Sequence, residues 1–285
     1  MIKIFKYLVQ SIVIYFFFIV GRCLGIRLSR KLFGFIFEKI GPLFKSKKIV
    51  EKNLENLKGI SEEEKKNIIS KMWKSYGMVF IEYIFLNEIR KKSYDINVEG
   101  LEILENIIKK DKPAIFISGH FSNFELMSLI MTKKGLKLAT IYRPLNNFFL
   151  NPFMEYLRKK FVCQNQIKKG INGVREAIDF IKQNYSIALM VDQRVSEGEK
   201  INFFNKQALT TTLPAQLAIK YNLPIVSVFV KRTETNSFTV KFFKEINHAD
   251  FKNKSELTLK LNEFIEQMII KNPSEWIWTH NRWKN

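Results

Sequence analysis

Cysteine and histidine are scarce in this sequence, which contains two cysteines and three histidines among 285 residues. Cys23 and Cys163 lie far apart in unlike surroundings, so they cannot form a disulfide framework or a zinc-ligand spacing. The histidines (His120, His248 and His280) are too scattered for an obvious metal site, and we expect no metal. A reducing compartment is the simplest interpretation of this cysteine usage.

Acidic residues are also in deficit, with 27 Asp and Glu against 47 Lys and Arg, which gives a formal net charge of +20. Such an excess favours an anionic partner, and nucleic acid, an acidic protein and anionic lipid all qualify. Lysine is spread along the whole chain, so the charge alone does not choose among these partners. Hydrophobic residues make up 46% of the chain, which is enough for a substantial core.

An uninterrupted apolar run of spanning length is missing, but a shorter one occurs near the N-terminus. Tyr7–Val20 is nearly all apolar, whereas a spanning helix needs about 20 such residues. No A-x-A cleavage site follows the run, and residues 24–44 alternate basic and bulky apolar side chains, as interfacial helices do. We predict a membrane anchor over residues 1–45, with the main domain on the cytoplasmic side because basic residues crowd its C-terminal flank. A buried core helix is the alternative.

Glycine and proline are few and fall between the predicted elements, without a repeat or a low-complexity linker. We therefore predict one domain over residues 46–285. Its first part, residues 46–90, has helical periodicity. The helix predicted from residue 61 onward opens with a capping box, Ser61 with Glu64. Helices and strands then alternate, which predicts an α/β fold, a mostly parallel central sheet flanked by helices behind the N-terminal anchoring helix. The predicted strands are YDINVEG, PAIFISG, LKLATIYR, SIALMVD, PIVSVFVKR and FTVKFFKEI.

Three polar residues follow directly on predicted strands, and active sites of such sheets lie where the strands end. They are His120, Arg143 and Asp192. Because they come from three separate segments, their shared placement predicts one site at that edge of the sheet.

His120 is the best candidate for a general base, because imidazole accepts protons near neutral pH. Glu125 follows five residues later, and we expect its carboxylate to hold one ring nitrogen so that the other is free to take a proton. The stretch Ser122–Glu125 also matches a capping box, which predicts a purely structural role for Ser122. A buried histidine with a structural hydrogen bond explains His120 equally well from the residues alone.

The remaining candidates bind substrate or anchor loops. Arg143 can bind a phosphate or stabilise an oxyanion, or it is a solvated strand-end arginine. Asp192 and Arg194 either anchor a loop or touch substrate, and Asn123 is a further substrate-binding candidate. In the loop of residues 193–210, two adjacent phenylalanines line a pocket or cover the core.

Four stretches together resemble a known family. SGHFSNFE is similar to the H-x4-D/E motif of the glycerolipid acyltransferase superfamily. YRPLNN, DQR with INFFNKQALTTTLPAQLA, and PSEWIWTHNRWK are similar to further blocks of the bacterial lipid A biosynthesis (lauroyl/myristoyl) acyltransferases. The resemblance covers essentially the whole chain. Asn205 stands where many relatives have glycine, and asparagine tolerates the left-handed turn expected there.

The resemblance implies an enzyme of the bacterial inner membrane, with its catalytic domain facing the cytoplasm. It implies transfer of a fatty acyl chain from acyl carrier protein, or coenzyme A, to a hydroxyl of an anionic lipid A precursor, without a metal or bound cofactor. His120 is then the base and Glu125 its partner, while Arg143 and Asp192 are catalytic or position the substrate. Trp276, Trp278 and His280 match the last block, and we interpret them as packing and loop-anchoring residues.

Other functions remain open at this point. The acceptor can instead be a lysophospholipid or another glycolipid. A nucleic-acid-binding protein would explain the charge of +20, but no recognition motif is present and no nucleic acid is expected. A non-catalytic protein of the membrane surface would explain the apolar N-terminus.

Overall fold

The computed structural model describes residues 2–44, 47–92 and 96–284. The predicted boundary between residues 45 and 46 lies outside the described residues, as do the first two residues of the first predicted strand. The described helices are α1 (Ile2–Phe44), α2 (Lys47–Leu54), α3 (Glu62–Glu82), α4 (Leu86–Lys91), α5 (Leu101–Lys110), α6 (Glu125–Lys133), α7 (Asn151–Phe161), α8 (Ile171–Lys182), α9 (Leu213–Tyr221) and α10 (Lys254–Lys271). The described strands are β1 (Ile96–Glu99), β2 (Ile115–Ser118), β3 (Leu138–Tyr142), β4 (Asn165–Lys168), β5 (Ser186–Met190), β6 (Glu199–Phe203), β7 (Lys206–Thr210), β8 (Ile225–Arg232) and β9 (Phe238–Phe242).

Seven strands form the central sheet in the order β1-β9-β8-β2-β5-β3-β4. All neighbours are parallel except β8 and β9, which pair antiparallel. The predicted mostly parallel sheet is therefore confirmed, with β1 and β9 reversed at one edge. The central strand β2 is buried along its whole length, which explains why it reads as a continuous apolar run.

Helices cover both faces of the sheet and divide the core into two layers. One layer packs α8, α9 and α10 against the sheet, and the other packs α5, α6 and α7 against its opposite face. The N-terminal helices contribute to both layers, since Met72 and Trp73 belong to the first, whereas Phe18 and Phe33 belong to the second. The N-terminal segment is thus built into the core at several points.

The sequence-based prediction missed three strands. β4 is a short edge strand with little apolar content, and β6 and β7 form a hairpin inside the segment predicted as a loop. The hairpin turns at Phe204 and Asn205, whose φ angles are +53° and +56°. Two adjacent left-handed residues are what a two-residue hairpin loop requires, and Asn205 adopts the expected conformation.

Helix α1 is broken at Gly25, which has a φ of +72° and a ψ of +164°. The two halves fold back on each other, as the distance of 5.5 Å between the ring centroids of Phe17 and Phe33 shows. In a straight helix, 16 residues would span about 24 Å. Ser29 closes the bend by donating a hydrogen bond to the Gly21 carbonyl oxygen at 2.7 Å. Glycine is favoured at the bend because other residues rarely adopt this left-handed region.

Ser61 and Glu64 form the predicted capping box of α3. The Glu64 amide donates to Ser61 Oγ at 3.2 Å, and the Ser61 amide donates to the Glu64 carboxylate at 2.7 Å. The second half of α1 packs antiparallel on α3, with Gly34 next to Met78 and Gly41 next to Trp73. The first half reaches the edge of the sheet, where the candidate site lies.

Candidate active site

Strands β2 and β5 bring His120 and Asp192 together. The two strands are parallel neighbours, and Ser118 is paired in register with Met190. Each polar residue lies two positions beyond its strand, so they meet at the carboxyl edge of the sheet. The two residues that the sequence predicted separately at strand ends are therefore in direct contact.

The Asp192 carboxylate accepts three hydrogen bonds. His120 donates to it twice, from the backbone amide to Oδ2 at 2.9 Å and across the 2.8 Å contact between Nδ1 and Oδ1. The third bond comes from Trp276 Nε1 to Oδ2 at 2.7 Å. An ionised carboxylate only accepts hydrogen bonds, so the ring proton sits on Nδ1 and leaves Nε2 as the acceptor nitrogen of His120.

The charge of Asp192 is stabilised although the side chain is buried. Burial raises the pKa of this carboxyl, but the His120 charge and the three hydrogen bonds outweigh it and lower the pKa to about 2. Asp192 is therefore ionised at neutral pH, in direct contact with the His120 ring. A histidine held in one tautomer beside a buried carboxylate is the arrangement that general-base catalysis requires.

The backbone around His120 is held by the C-terminal segment. Phe121 forms an isolated bridge with Trp276, and the Ser122 amide donates to the Glu275 carbonyl oxygen at 2.9 Å. A Cβ added at Gly119 would lie 2.7 Å from the Phe121 ring and 3.3 Å from Asp192 Cβ. Glycine is therefore required just before His120 by close packing.

Trp276 packs in the core, as expected, and also binds Asp192. We expect Trp276→Phe to keep most of the ring packing while it removes one donor from the carboxylate. The free energy of unfolding at neutral pH should fall by about 1.5–3 kcal/mol, the usual contribution of a hydrogen bond to a charged group. Activity should fall less than in an Asp192 variant, since both His120 bonds remain. Denaturant titration checks this, with Trp283→Phe as the matched control, whose Nε1 binds a backbone oxygen of Phe203. Equal stability of both variants would contradict it.

Glu125 does not contact the His120 ring, and the prediction that it orients this imidazole is wrong. Its Oε1 accepts from Tyr83 Oη at 2.7 Å and from Arg158 Nε at 2.7 Å. In the described part of the chain, Asp192 is the one carboxylate within 4.0 Å of the His120 ring nitrogens. The physical reason is the strand register, which places Asp192 beside the imidazole, whereas Glu125 is the first residue of α6 and pairs with Tyr83 and Arg158.

The predicted capping box at Ser122 is also wrong. Helix α6 starts at Glu125 with Phe124 as its N-cap, and no side chain caps it. Ser122 instead adopts a φ of +44° in the turn between β2 and α6. The turn, rather than a cap, determines where His120 and Glu125 point.

Asn123 is buried, does not line the cavity beside His120, and belongs to a buried charged network. Its Nδ2 donates to Glu82 Oε2 at 2.8 Å. Glu82 is fully buried and also pairs with Arg232 at 2.7 Å and Arg30 at 2.6 Å. The prediction that Asn123 binds substrate is therefore wrong, and this network instead ties the turn after His120 to β8 and α1.

The two predicted arginines are differently placed. Arg143 is exposed at the end of β3 and lines the cavity, and no carboxylate of the described residues lies within 4.0 Å of it. Arg194 anchors the C-terminal segment, since its amide donates to His280 Nε2 at 3.1 Å and its Nε to the Lys284 carbonyl oxygen at 2.8 Å. The interpretation of His280 as a loop anchor agrees with this contact.

A cavity of about 840 Å³ opens beside His120. This volume is typical of sites for small ligands. One wall is apolar and comes from α1 and α3, with Ile14, Phe18, Val79 and Phe80. Polar side chains that line the same cavity include Glu125, Arg158 and Tyr83. Tyr83 and Arg158 belong to no local sequence motif, and only their contacts with Glu125 mark them as residues of the site.

Comparison with known proteins gives the chain its family. The family model described as bacterial lipid A biosynthesis acyltransferase matches residues 2–285. The chain belongs to this family. Its members are acyltransferases, so the chain is an enzyme that transfers an acyl group to a lipid, and the resemblance found in the four sequence blocks is confirmed.

Individual relatives of this acyltransferase are distant. It is 23% identical over 276 residues to the lipid A biosynthesis palmitoleoyltransferase of Escherichia coli, which covers 92% of this chain and 88% of the relative. It is 19% identical over 223 residues to the lipid A biosynthesis myristoyltransferase of the same organism, covering 76% and 68%. Among solved structures it is similar to the 1-acyl-sn-glycerophosphate acyltransferase PlsC of Thermotoga maritima, with 17% identity and a TM-score of 0.44, covering 89% of this chain and 100% of the other.

Proposed function

We propose that this acyltransferase moves a fatty acyl chain from the thioester of acyl carrier protein to a hydroxyl of a lipid A precursor. The observation that carries this proposal is the His120–Asp192 pair at the wall of a large, half-apolar cavity in a chain of this family. The site of action is the bacterial inner membrane, with the catalytic domain facing the cytoplasm.

His120 acts as the general base through Nε2. The acceptor hydroxyl gives its proton to Nε2 as its oxygen attacks the thioester carbonyl carbon. The tetrahedral intermediate then collapses, the carbon–sulfur bond breaks, and the thiolate takes the proton back from the imidazolium. Asp192 positions the ring and stabilises its positive charge in both steps. Proton transfer by a positioned side chain such as His120 contributes typically 10²–10⁴-fold. This chemistry needs no metal and no bound cofactor.

Cations at the rim of the cavity suit the charges of the substrates. Arg143 stabilises the oxyanion or binds a phosphate, and Lys169 lies next to it because its amide donates to the Tyr142 carbonyl oxygen at 2.9 Å. Both residues are exposed and line the cavity. The phosphates of a lipid A precursor and the phosphopantetheine of a carrier protein offer the same anionic group to this pair.

The apolar and the polar side chains that line the cavity suit different parts of the substrates. The apolar wall of α1 and α3 accommodates the acyl chain, since burial of each methylene is worth about 0.8 kcal/mol. The polar side chains, with Glu125 held between Tyr83 and Arg158, face the sugar hydroxyls of the acceptor. The net charge of +20 suits acyl carrier protein, which is acidic, as the donor.

A mass-spectrometric assay tests the proposal. The purified protein is incubated with carrier-protein and coenzyme A thioesters of graded chain length, each paired with a lipid A precursor, a lysophospholipid or another glycolipid. We expect an acylated lipid A precursor from the carrier-protein donor and none from the His120→Ala variant. If only the lysophospholipid is acylated, the acceptor is a lysophospholipid and not a lipid A precursor. Salt-sensitive DNA binding without any acyl transfer would favour the nucleic-acid alternative, and activity in the His120→Ala variant would reject the assigned base.

A further inference from the structure

Basic side chains collect at the carboxyl edge of the sheet, where β4 ends and α8 begins. Strand β4 pairs in parallel with β3, and Lys168 lies opposite Tyr142. The amide of Lys169 donates to the Tyr142 carbonyl oxygen at 2.9 Å, so Lys169 lies next to Arg143, which follows Tyr142. The three cations are exposed. They therefore lie at the same edge of the sheet as His120.

The first turn of α8 adds an apolar side chain and a fourth cation. Ile171 is 78% exposed, more than any other large apolar side chain outside α1 in the described part of the chain. Arg175 is exposed one turn later, and residues four apart lie on the same face of a helix. We call Arg143, Lys168, Lys169, Ile171 and Arg175 the β4–α8 patch.

The backbone beneath the β4–α8 patch is closely packed. A Cβ added at Gly173 would lie 2.0 Å from the Lys168 carbonyl oxygen, so glycine is required for α8 to approach β4 this closely. The Val174 amide donates to the Gly170 carbonyl oxygen at 3.0 Å and closes the first turn of the helix. The patch is thus a preformed surface, which can bind a partner without the cost of ordering a loop.

Most of the positive charge of the patch is not neutralised within the chain. Among the described residues, Lys168 pairs with Glu155 at 3.7 Å, and the other three cations of the patch have no carboxylate within 4.0 Å. Glu176 is exposed and follows Arg175 in sequence, so this surface also carries one negative charge. Cations around an exposed apolar side chain complement an acidic protein surface.

The β4–α8 patch is continuous with the cavity beside His120. Arg143 and Lys169 line this cavity, whereas Ile171 and Arg175 lie outside it. A partner that covers Ile171 and Arg175 can therefore send an extended group past the other two cations toward the imidazole.

A second basic cleft, of about 450 Å³, is lined by Lys220 and Lys252. Lys220 lies near the end of α9, which leads into β8, and the first residue of β8, Ile225, pairs with Ile115 at the start of β2. This cleft therefore lies at the amino edge of the sheet, away from His120. The β4–α8 patch is better placed than this cleft for a partner that delivers an acyl chain.

We propose that the β4–α8 patch is the docking surface for acyl carrier protein, with the acidic carrier on Ile171 and Arg175 and its phosphopantetheine arm passing Arg143 and Lys169 into the cavity. This inference rests on the proposed function, in which the carrier protein is the acyl donor. Charge complementarity selects the occupant, because the carrier is acidic and its arm carries a phosphate beside the patch.

Steady-state kinetics with the carrier-protein thioester, at saturating lipid A precursor, test this surface. We expect Ile171→Asp and Arg175→Glu each to raise the KM for the thioester by about tenfold with little change of kcat, since neither residue lines the cavity. The matched controls are Ile270→Asp on α10 and Lys110→Glu on α5, both at exposed positions. Helix α5 packs on β9, at the other edge of the sheet. Both controls should stay within about twofold of the unmodified enzyme.

Glu176→Gln tests the same surface with the opposite sign. Removal of this carboxylate should lower the KM for the carrier thioester by about twofold, as the loss of one like charge at the rim of an interface predicts. A gain in affinity cannot arise from a folding defect. Added salt should reduce the effects of Glu176→Gln and Arg175→Glu, because exposed charges are screened.

The possible outcomes separate the docking surface from the proposed function. An unchanged KM in the three patch variants, while the unmodified enzyme still uses the carrier thioester, would reject this surface and leave the proposed function standing. A raised KM for the lipid A precursor instead would assign the patch to the acceptor and also reject the docking surface. An equal rise in Lys110→Glu would show that net charge, and not the patch, attracts the carrier. No transfer from the carrier thioester by the unmodified enzyme would reject both proposals.

Discussion

Replacing Asp192 with asparagine is expected to lower kcat by about 10⁴-fold while the chain remains folded. Two donors face Oδ2, the His120 amide at 2.9 Å and Trp276 Nε1 at 2.7 Å. The asparagine oxygen will therefore occupy this position, and its NH2 group will face His120 Nδ1. An NH2 group donates, so Nδ1 must accept and the ring proton moves to Nε2. The imidazole is then in the wrong tautomer to take a proton from the acceptor hydroxyl.

Single-turnover kinetics with an acyl donor measure this loss, and near-ultraviolet circular dichroism checks the fold. Asp179→Asn is the matched control, because Asp179 is exposed on α8 and, within the described part of the chain, has a single ion pair, with Lys182 at 4.0 Å. It should retain full activity. An Asp192→Asn variant within tenfold of the unmodified enzyme would mean that the tautomer of His120 does not limit the reaction, and the assigned role of Asp192 would fail.

The same substitution changes how stability depends on acid. The pKa of Asp192 is lowered from 3.8 to about 2 in the folded chain, so its stabilising contribution is complete above 3.8 and disappears as the pH falls toward 2. The Asn variant has no such group. The difference in free energy of unfolding between the two proteins should therefore shrink as the pH is lowered through this window.

The sequence predicted most of the fold because the strands are short apolar runs between amphipathic helices. The buried strand β2 and its neighbour β5 are typical of a sheet that is covered on both faces, and their continuous apolar runs can be recognised in a single sequence. Strand β4 and the β6–β7 hairpin were missed because their exposed residues are polar and their turn contains no glycine. Apart from the glycine itself, no feature of the sequence predicts the bend of α1 at Gly25.

The candidate site was only partly predictable. His120 and Asp192 were both placed at strand ends, but the sequence does not say which strands are neighbours, and the closer residue Glu125 was chosen as the partner. The register of β2 with β5 determines which carboxylate contacts His120. Ser118 and Met190 are paired, and His120 and Asp192 each follow two residues later. Partners of Glu125 come from α7 and from the turn after α3, which no local pattern connects.

Replacing Glu82 with glutamine should give the largest loss of stability, about 3–5 kcal/mol in the free energy of unfolding. Glu82 is fully buried, and its two oxygens accept from Arg232 at 2.7 and 2.9 Å and from Arg30 at 2.6 Å. Glutamine removes the negative charge and turns one acceptor into a donor. Two guanidinium groups then face each other in the interior without a counter-charge.

Burial raises the pKa of Glu82, but the two arginines and Asn123 outweigh it, so the pKa is lower than the ordinary value of 4.5. The contribution of its charge to stability is therefore complete above 4.5 and is lost as the pH falls below that value. We expect the stability difference between the unmodified chain and Glu82→Gln to be largest at neutral pH and to narrow in acid.

Denaturant titration of both proteins in the same detergent measures this difference. Glu99→Gln is the control, because Glu99 forms an exposed pair with Lys241 at 2.7 Å, and exposed pairs contribute about 0–1 kcal/mol. Since Asn123 donates to Glu82, the variant should also lose activity at temperatures where it is still folded, through movement of the turn that carries His120. A loss of stability no greater than that of the control would mean that water or a rearranged side chain neutralises the two arginines, and that Glu82 does not hold α1, β8 and the turn after His120 together.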